Sequence, residues 1–118
     1  MLKIPQTEPW FDEKETEAVS AYMKGGGWIM EFACTKELEA MIATYVGAKH
    51  CVMTTNGTIS LTLAMLALGL KAGDEILVPD LTMIASPNAA KLIGVEPVLV
   101  DIDPETLCMY LVKAKEVI

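Results

Sequence analysis

A chain of 118 residues is long enough for one domain with a modest core and too short for two. Its net charge is −7, with nine lysines, no arginine and a single histidine, His50. That balance argues against nucleic acid and anionic membrane surfaces as partners. Hydrophobic residues make up 53% of the chain and mean hydropathy is +0.40. Both are high for a small acidic protein, whose large relative surface has to stay polar. The surplus points to apolar surface that something else covers.

In chain order, residues Pro5 to Phe11 read as an extended lead-in. Asp12 and Glu15 have the spacing of a capping box, and a helix is expected from there to about Met23. Gly25-Gly26-Gly27 breaks it, followed by Trp28-Ile29-Met30. A second helix fits Thr35 to Val46, with Thr35 as N-cap, Glu37 and Glu39 at the positive end, and Gly47 closing it. Cys51 to Thr54 reads as a short buried strand, and Gly57 to Leu68 as a helix apolar nearly all round, ending at Gly69. After a turn at Lys71–Asp74, Ile76-Leu77-Val78 reads as a strand stopped by Pro79. Thr82 to Ile93 is expected to be helical, with Pro87 in its first turn or kinking it, and Gly94 ends it. Pro97 to Val100 is a third strand, and Met109 to Ile118 looks like the start of a further helix.

The resulting β-α-β-α-β order suits right-handed crossover units of an α/β fold. Parallel strands need helices on both faces, and the Gly57–Leu68 helix has no polar face for water. The pattern therefore reads as part of a larger α/β domain. The three cysteines, Cys34, Cys51 and Cys108, form no CxxC pair. They read as reduced, buried thiols of a cytoplasmic protein and not as disulfides or zinc ligands. Met1 to Pro5 lacks the apolar stretch of a signal peptide. The longest apolar run, Ile59 to Leu70, is interrupted by Ser60 and Thr62 and is too short to span a bilayer.

Thr54-Thr55-Asn56-Gly57-Thr58 is the most informative local feature. It lies between an expected strand and the start of a buried helix, where free amides and the helix dipole favour an anion. Gly57 lets backbone approach a ligand, and Thr58 adds a hydroxyl. The plainer reading stands beside it: Asn56 or Thr55 is an N-cap and Gly57 a tight turn. Pro79 to Ser86 follows the carboxyl end of the next strand, where α/β folds place ligands; taken alone, an ordinary loop and cap explains it better. Gly25-Gly26-Gly27 with Trp28 reads as a hinge with a packing anchor. Asp101 and Asp103 suggest paired carboxylates, although Asp101 also suits a strand end and Asp103-Pro104 a turn. No metal-binding constellation is visible.

Taken together, the segments are more specific than they are singly. They run Gly27-Trp28-Ile29, then Tyr45-Val46-Gly47-Ala48-Lys49-His50, then Asn56-Gly57-Thr58. Leu68-Gly69-Leu70-Lys71-Ala72-Gly73-Asp74 leads into Glu75-Ile76-Leu77-Val78-Pro79, and Thr82 to Ser86 and Gly94 to Asp103 follow. Over about Pro5 to Cys108 the chain resembles the N-terminal portion of the DegT/DnrJ/EryC1/StrS family of sugar-nucleotide aminotransferases, with perosamine-synthase-like members nearest in pattern. The resemblance implies part of the large domain of a fold type I pyridoxal-phosphate-dependent transferase, aspartate-aminotransferase-like, with three α/β/α layers. Residues 1–48 would form an N-terminal helical segment and 49–118 the start of the cofactor-binding domain.

The implied activity moves an amino group from glutamate to a keto-sugar nucleotide, in deoxyamino-sugar and polysaccharide biosynthesis, in a cytoplasmic homodimer. Asn56, Gly57 and Thr58 match the positions that hold the pyridoxal phosphate group. Met83 matches the position, often aromatic, that lies against the pyridine ring; a thioether also packs on a flat ring. Gly27 and Trp28 fall in the segment bordering the sugar substrate. The aspartate that pairs with the pyridine nitrogen and the lysine that forms the Schiff base lie, by the same resemblance, beyond residue 118. None of the nine lysines stands in the matching context, so the chain alone is expected to be inactive. The first strand is also expected to be separated in the sheet from the next two by strands encoded later. Three readings follow: part of a sugar aminotransferase, one piece of an enzyme supplied as separate chains, or a non-catalytic module that retains an anion site.

Overall fold

The computed structural model describes residues 4–5, 7–26 and 33–118. They fall into two compact units, residues 1–51 and 52–118.

The first unit holds helices α1 (Glu13–Lys24) and α2 (Ala33–Val46). The capping box at the start of α1 is formed on both sides. Asp12 Oδ1 accepts from the Lys14 N–H at 2.7 Å, and the Asp12 N–H donates to Glu15 Oε2 at 2.7 Å. The Asp12 amide beside it holds the Glu15 carboxyl below its ordinary range. Helix α2 already includes Ala33, so Thr35 sits within the helix and is not its N-cap. Cys34 is exposed in the first turn of α2, and Cys108 is exposed in a later loop. The expectation that the cysteines are buried therefore fails for these two, while Cys51 is half-buried.

The second unit contains α3 (Gly57–Ala67), β1 (Glu75–Pro79), α4 (Ala85–Lys91), β2 (Glu96–Val100) and α5 (Leu111–Ala114). Strands β1 and β2 pair in parallel with Val78 opposite Leu99 and Pro79 opposite Val100. The Glu96 N–H donates to Asp74 O at 2.8 Å, and the Asp80 N–H donates to Val100 O at 2.9 Å. Because backbone groups alternate sides along a strand, these bonds turn the Pro79 and Pro97 nitrogens away from the shared ladder. Neither proline costs it a hydrogen bond, and Pro79 is therefore the last residue of β1 instead of its stop.

Met65, Ala89, Ala90 and Val95 form the core, with Leu70, Ile76 and Ile93 packed around them. Alanines at 89 and 90, both 0% exposed, let α4 lie close to its neighbours. Glycine is required at two helix ends. Gly69 has φ +85°; its N–H donates to Leu66 O and that of Leu70 to Met65 O, which satisfies the last carbonyls of α3. Gly94 closes α4 in the same way at φ +75°, and a Cβ there would lie 2.8 Å from Ala72 Cβ.

Residues 51–54, expected as a buried strand, form no ladder, and Val52 is 72% exposed. A strand is defined by its partner, and β1 and β2 pair with each other. Helix α4 starts at Ala85, three residues after Thr82, and Pro87 is its third residue, where no intrahelical donor is needed. The expected last helix is short, spanning Leu111–Ala114. No helix among the described residues is long and apolar enough to cross a membrane. Helix α3 presents Leu61, Leu63 and Leu66 to the exterior, in keeping with its lack of a polar face.

Candidate functional site

The N-terminus of α3 is built from its own polar side chains. Asn56 is extended (φ −169°, ψ 168°), and its side chain caps the helix by accepting from the Ile59 N–H at 3.0 Å. Its carbonyl accepts from the Ser60 N–H at 3.1 Å. The Thr54 hydroxyl donates to the same carbonyl at 3.1 Å and lies 2.6 Å from Ser60 Oγ. Thr54 and Ser60 thus clamp the peptide leading into the helix. Asn56 is the cap and Thr55 is not.

That arrangement uses the Ile59 and Ser60 amides and leaves the Gly57 and Thr58 amides without an acceptor among the described residues. Both lie at the positive end of an 11-residue helix, where unpaired N–H groups attract an anion. Gly57 is not among the glycines with positive φ, and a Cβ on it would meet nothing within 4 Å. The tight-turn reading of Gly57 therefore does not hold: the fold does not need a glycine there. Residues 54–60 carry no charged side chain, so an anion would be held by amides and hydroxyls alone. This donor set fits a phosphate group.

Met83 lies in the same unit, just before α4, and is 75% exposed. Its carbonyl accepts from the Ser86 N–H at 2.9 Å, and Thr82 Oγ1 lies 3.2 Å from Ser86 Oγ. The thioether is free to meet a ligand, while Thr82 and Ser86 engage each other. Helix α4 has no side-chain N-cap. Helices α3 and α4 pack together and share a buried hydrogen bond from the Thr62 hydroxyl to Ala89 O at 3.1 Å.

Gly27 and Trp28 lie outside the described residues. Asp103 serves the local fold, since its Oδ1 accepts from the Glu105 and Thr106 amides at 2.8 and 3.0 Å. Of the lysines in this unit, Lys71 pairs with Asp74, Lys91 with Glu96 and Lys113 with Glu116. Lys71 follows the far end of α3, about 16 Å of helix from the phosphate-type donors. Thr54 belongs to the segment that the sequence marks, but Ser60 and Thr62 carry no site signal of their own there. Their only signal is the recurrence of hydroxyls in an otherwise apolar stretch.

Comparison with known proteins adds to this geometry. The DegT/DnrJ/EryC1/StrS aminotransferase family matches residues 9–118. The GDP-perosamine synthase of Caulobacter vibrioides is 45% identical over 82 residues, 70% of this chain and 22% of that protein. The UDP-4-amino-4-deoxy-L-arabinose–oxoglutarate aminotransferase of Shewanella sediminis is 35% identical over 104 residues, 88% of this chain and 26% of its own length. Among solved structures, Spr1654 of Streptococcus pneumoniae, assigned as a sugar aminotransferase and solved in its PMP form, superposes with a TM-score of 0.91 at 32% identity. That match covers 99% of this chain and 29% of the other. The fold is thus that of part of an α/β pyridoxal-phosphate-dependent transferase. The chain spans about a quarter of the length of the curated relatives it matches.

Proposed function

The chain belongs to the DegT/DnrJ/EryC1/StrS aminotransferase family, and on that premise we propose that it supplies the phosphate-holding part of a pyridoxal phosphate site in a sugar-nucleotide aminotransferase. The observation that carries the reading is the pair of unengaged amides at Gly57 and Thr58, beside a glycine that the fold itself does not require. When bound, pyridoxal phosphate supplies the electron sink that lets an amino group pass between a donor amino acid and a keto sugar. The residues of this chain hold and orient it. The Gly57 and Thr58 amides and the Thr58 hydroxyl bind the phosphate. Asn56, Thr54 and Ser60 keep those amides aimed outward, and Met83 packs on the ring.

The substrate pair is glutamate and a keto-sugar nucleotide. The setting is a cytoplasmic homodimer serving deoxyamino-sugar synthesis for polysaccharides. Residues 1–118 by themselves transfer no amino group, because none of their lysines is in the context of the family's covalent attachment site.

The test is to isolate the protein as its natural source makes it, measure its intact mass, and trap bound pyridoxal phosphate with borohydride. A mass above 12.8 kDa with one trapped cofactor is the expected result. A 12.8 kDa polypeptide with saturable binding that resists trapping would replace the enzyme reading with a non-catalytic anion-binding module, or with one piece of an enzyme whose lysine is on a partner chain. Absence of saturable binding in either case would refute the site.

A further inference from the structure

Thr62 is a polar residue inside an apolar helix, and it is 8% exposed. It lies one turn beyond Thr58 on the same face of α3. Its single hydroxyl proton is shared between two carbonyls, Thr58 O and Ala89 O, each at 3.1 Å. Ala89 O needs this donor. It lies in the last turn of α4, where carbonyls lose their helical partners. The Leu92 amide goes to Asn88 O, the Ile93 and Val95 amides both go to Ala90 O, and the Gly94 amide goes to Lys91 O. This closing pattern passes over Ala89 O, and Ala89 is 0% exposed. Among the described residues, the Thr62 hydroxyl is its hydrogen-bond donor.

The bond joins two segments with different roles. One end is Thr62, in the second turn of α3, whose hydroxyl also reaches Thr58 O in the first turn, beside the Gly57 and Thr58 amides. The other is Ala89, in the last turn of α4, the helix whose preceding loop carries Met83. Resting on the function proposed above, we propose that Thr62 is a positioning residue that holds the phosphate-binding turn and the ring-contacting Met83 loop in register, so that one cofactor can engage both. Such a residue acts on the connection between two subsites and not on either subsite alone. Its loss should weaken a ligand that spans both, while each half-ligand binds as before.

The experiment uses the full-length protein freed of cofactor and three probes: pyridoxal phosphate, unphosphorylated pyridoxal and inorganic phosphate. Thr62→Val keeps the shape and removes the donor, and Thr62→Ser keeps the donor. Pyridoxal phosphate should bind Thr62→Val about tenfold more weakly, pyridoxal and phosphate should stay within about twofold, and Thr62→Ser should restore the wild-type value. Equal weakening of all three probes would mean a merely structural role. An unchanged pyridoxal phosphate affinity, or no rescue by Thr62→Ser, would equally overturn the proposal. If Thr62→Val does not fold, Thr62→Ser decides, since a spanning affinity that falls with the donor present contradicts it. Failure of the underlying site looks different: the wild-type protein would then bind pyridoxal phosphate no better than pyridoxal.

Discussion

Replacing Gly57 by alanine separates what the fold needs from what a ligand needs. Gly57 is the first residue of α3, its φ is not positive, and an added methyl group meets nothing within 4 Å. Alanine is therefore unstrained there. It also restricts the unfolded chain, which is worth up to about 1 kcal/mol of added stability. On the proposed site, the methyl group crowds a phosphate oxygen held by the Gly57 amide. Losing a hydrogen bond to a charged group costs about 1.5–3 kcal/mol, a roughly tenfold to hundredfold loss of affinity. Stability and cofactor affinity should thus move in opposite directions. Denaturant unfolding of the cofactor-free protein and titration with pyridoxal phosphate measure the two. A loss of stability would mean that Gly57 serves the fold, and an affinity within twofold of wild type would remove the phosphate from this position.

Gly94→Ala should be the reverse case, because its φ is +75° and the new Cβ would lie 2.8 Å from Ala72 Cβ. Left-handed strain and overpacking together predict a loss of at least about 2 kcal/mol, visible as an earlier unfolding midpoint. Asn56→Ala removes the acceptor for the Ile59 amide and should lower stability by about 1 kcal/mol in the same assay. The Glu15 carboxyl is held below its ordinary value by the Asp12 amide. A depressed carboxylate pKa contributes stability that is full above the unfolded value, about 4.3, and is lost as pH falls through the lower folded value. Protection of the Asp12 amide from exchange should weaken on acidification across that window, and Glu15→Gln should flatten the response.

Much of the fold could be read from local chemistry that acts over a few residues. Asp12 and Glu15 specify the start of α1, Gly69 and Gly94 the ends of α3 and α4, and the runs 76–78 and 97–100 the paired strands. Asn56 could be read as a cap for the same reason. What the sequence hid depends on partners distant along the chain. Residues 51–54 have the composition of a strand, but a ladder is a relation between segments. Thr82 has the chemistry of a cap, yet its hydroxyl meets Ser86 and α4 begins at Ala85. Cys34 and Cys108 have buried-type side chains at exposed places. Thr62 reads as an interruption of an apolar helix, and its role emerges only when Ala89, 27 residues away, is brought beside it.

The orientation of the two strand prolines makes the sheet unequal at its margins. On the outer side of β2, Pro97 has no N–H to offer, and the Asp101 carbonyl is already taken by the Tyr110 amide at 2.9 Å. On the outer side of β1, the alternation leaves Glu75 and Leu77 facing outward, each with a donor and an acceptor, and Pro79 falls only at the end. A further strand could therefore zip along β1 over most of its length but would meet a gap in donors at β2. The β2 edge is interrupted near its start by Pro97 and closed at Asp101 by Tyr110, whereas the β1 edge is interrupted only at its last residue.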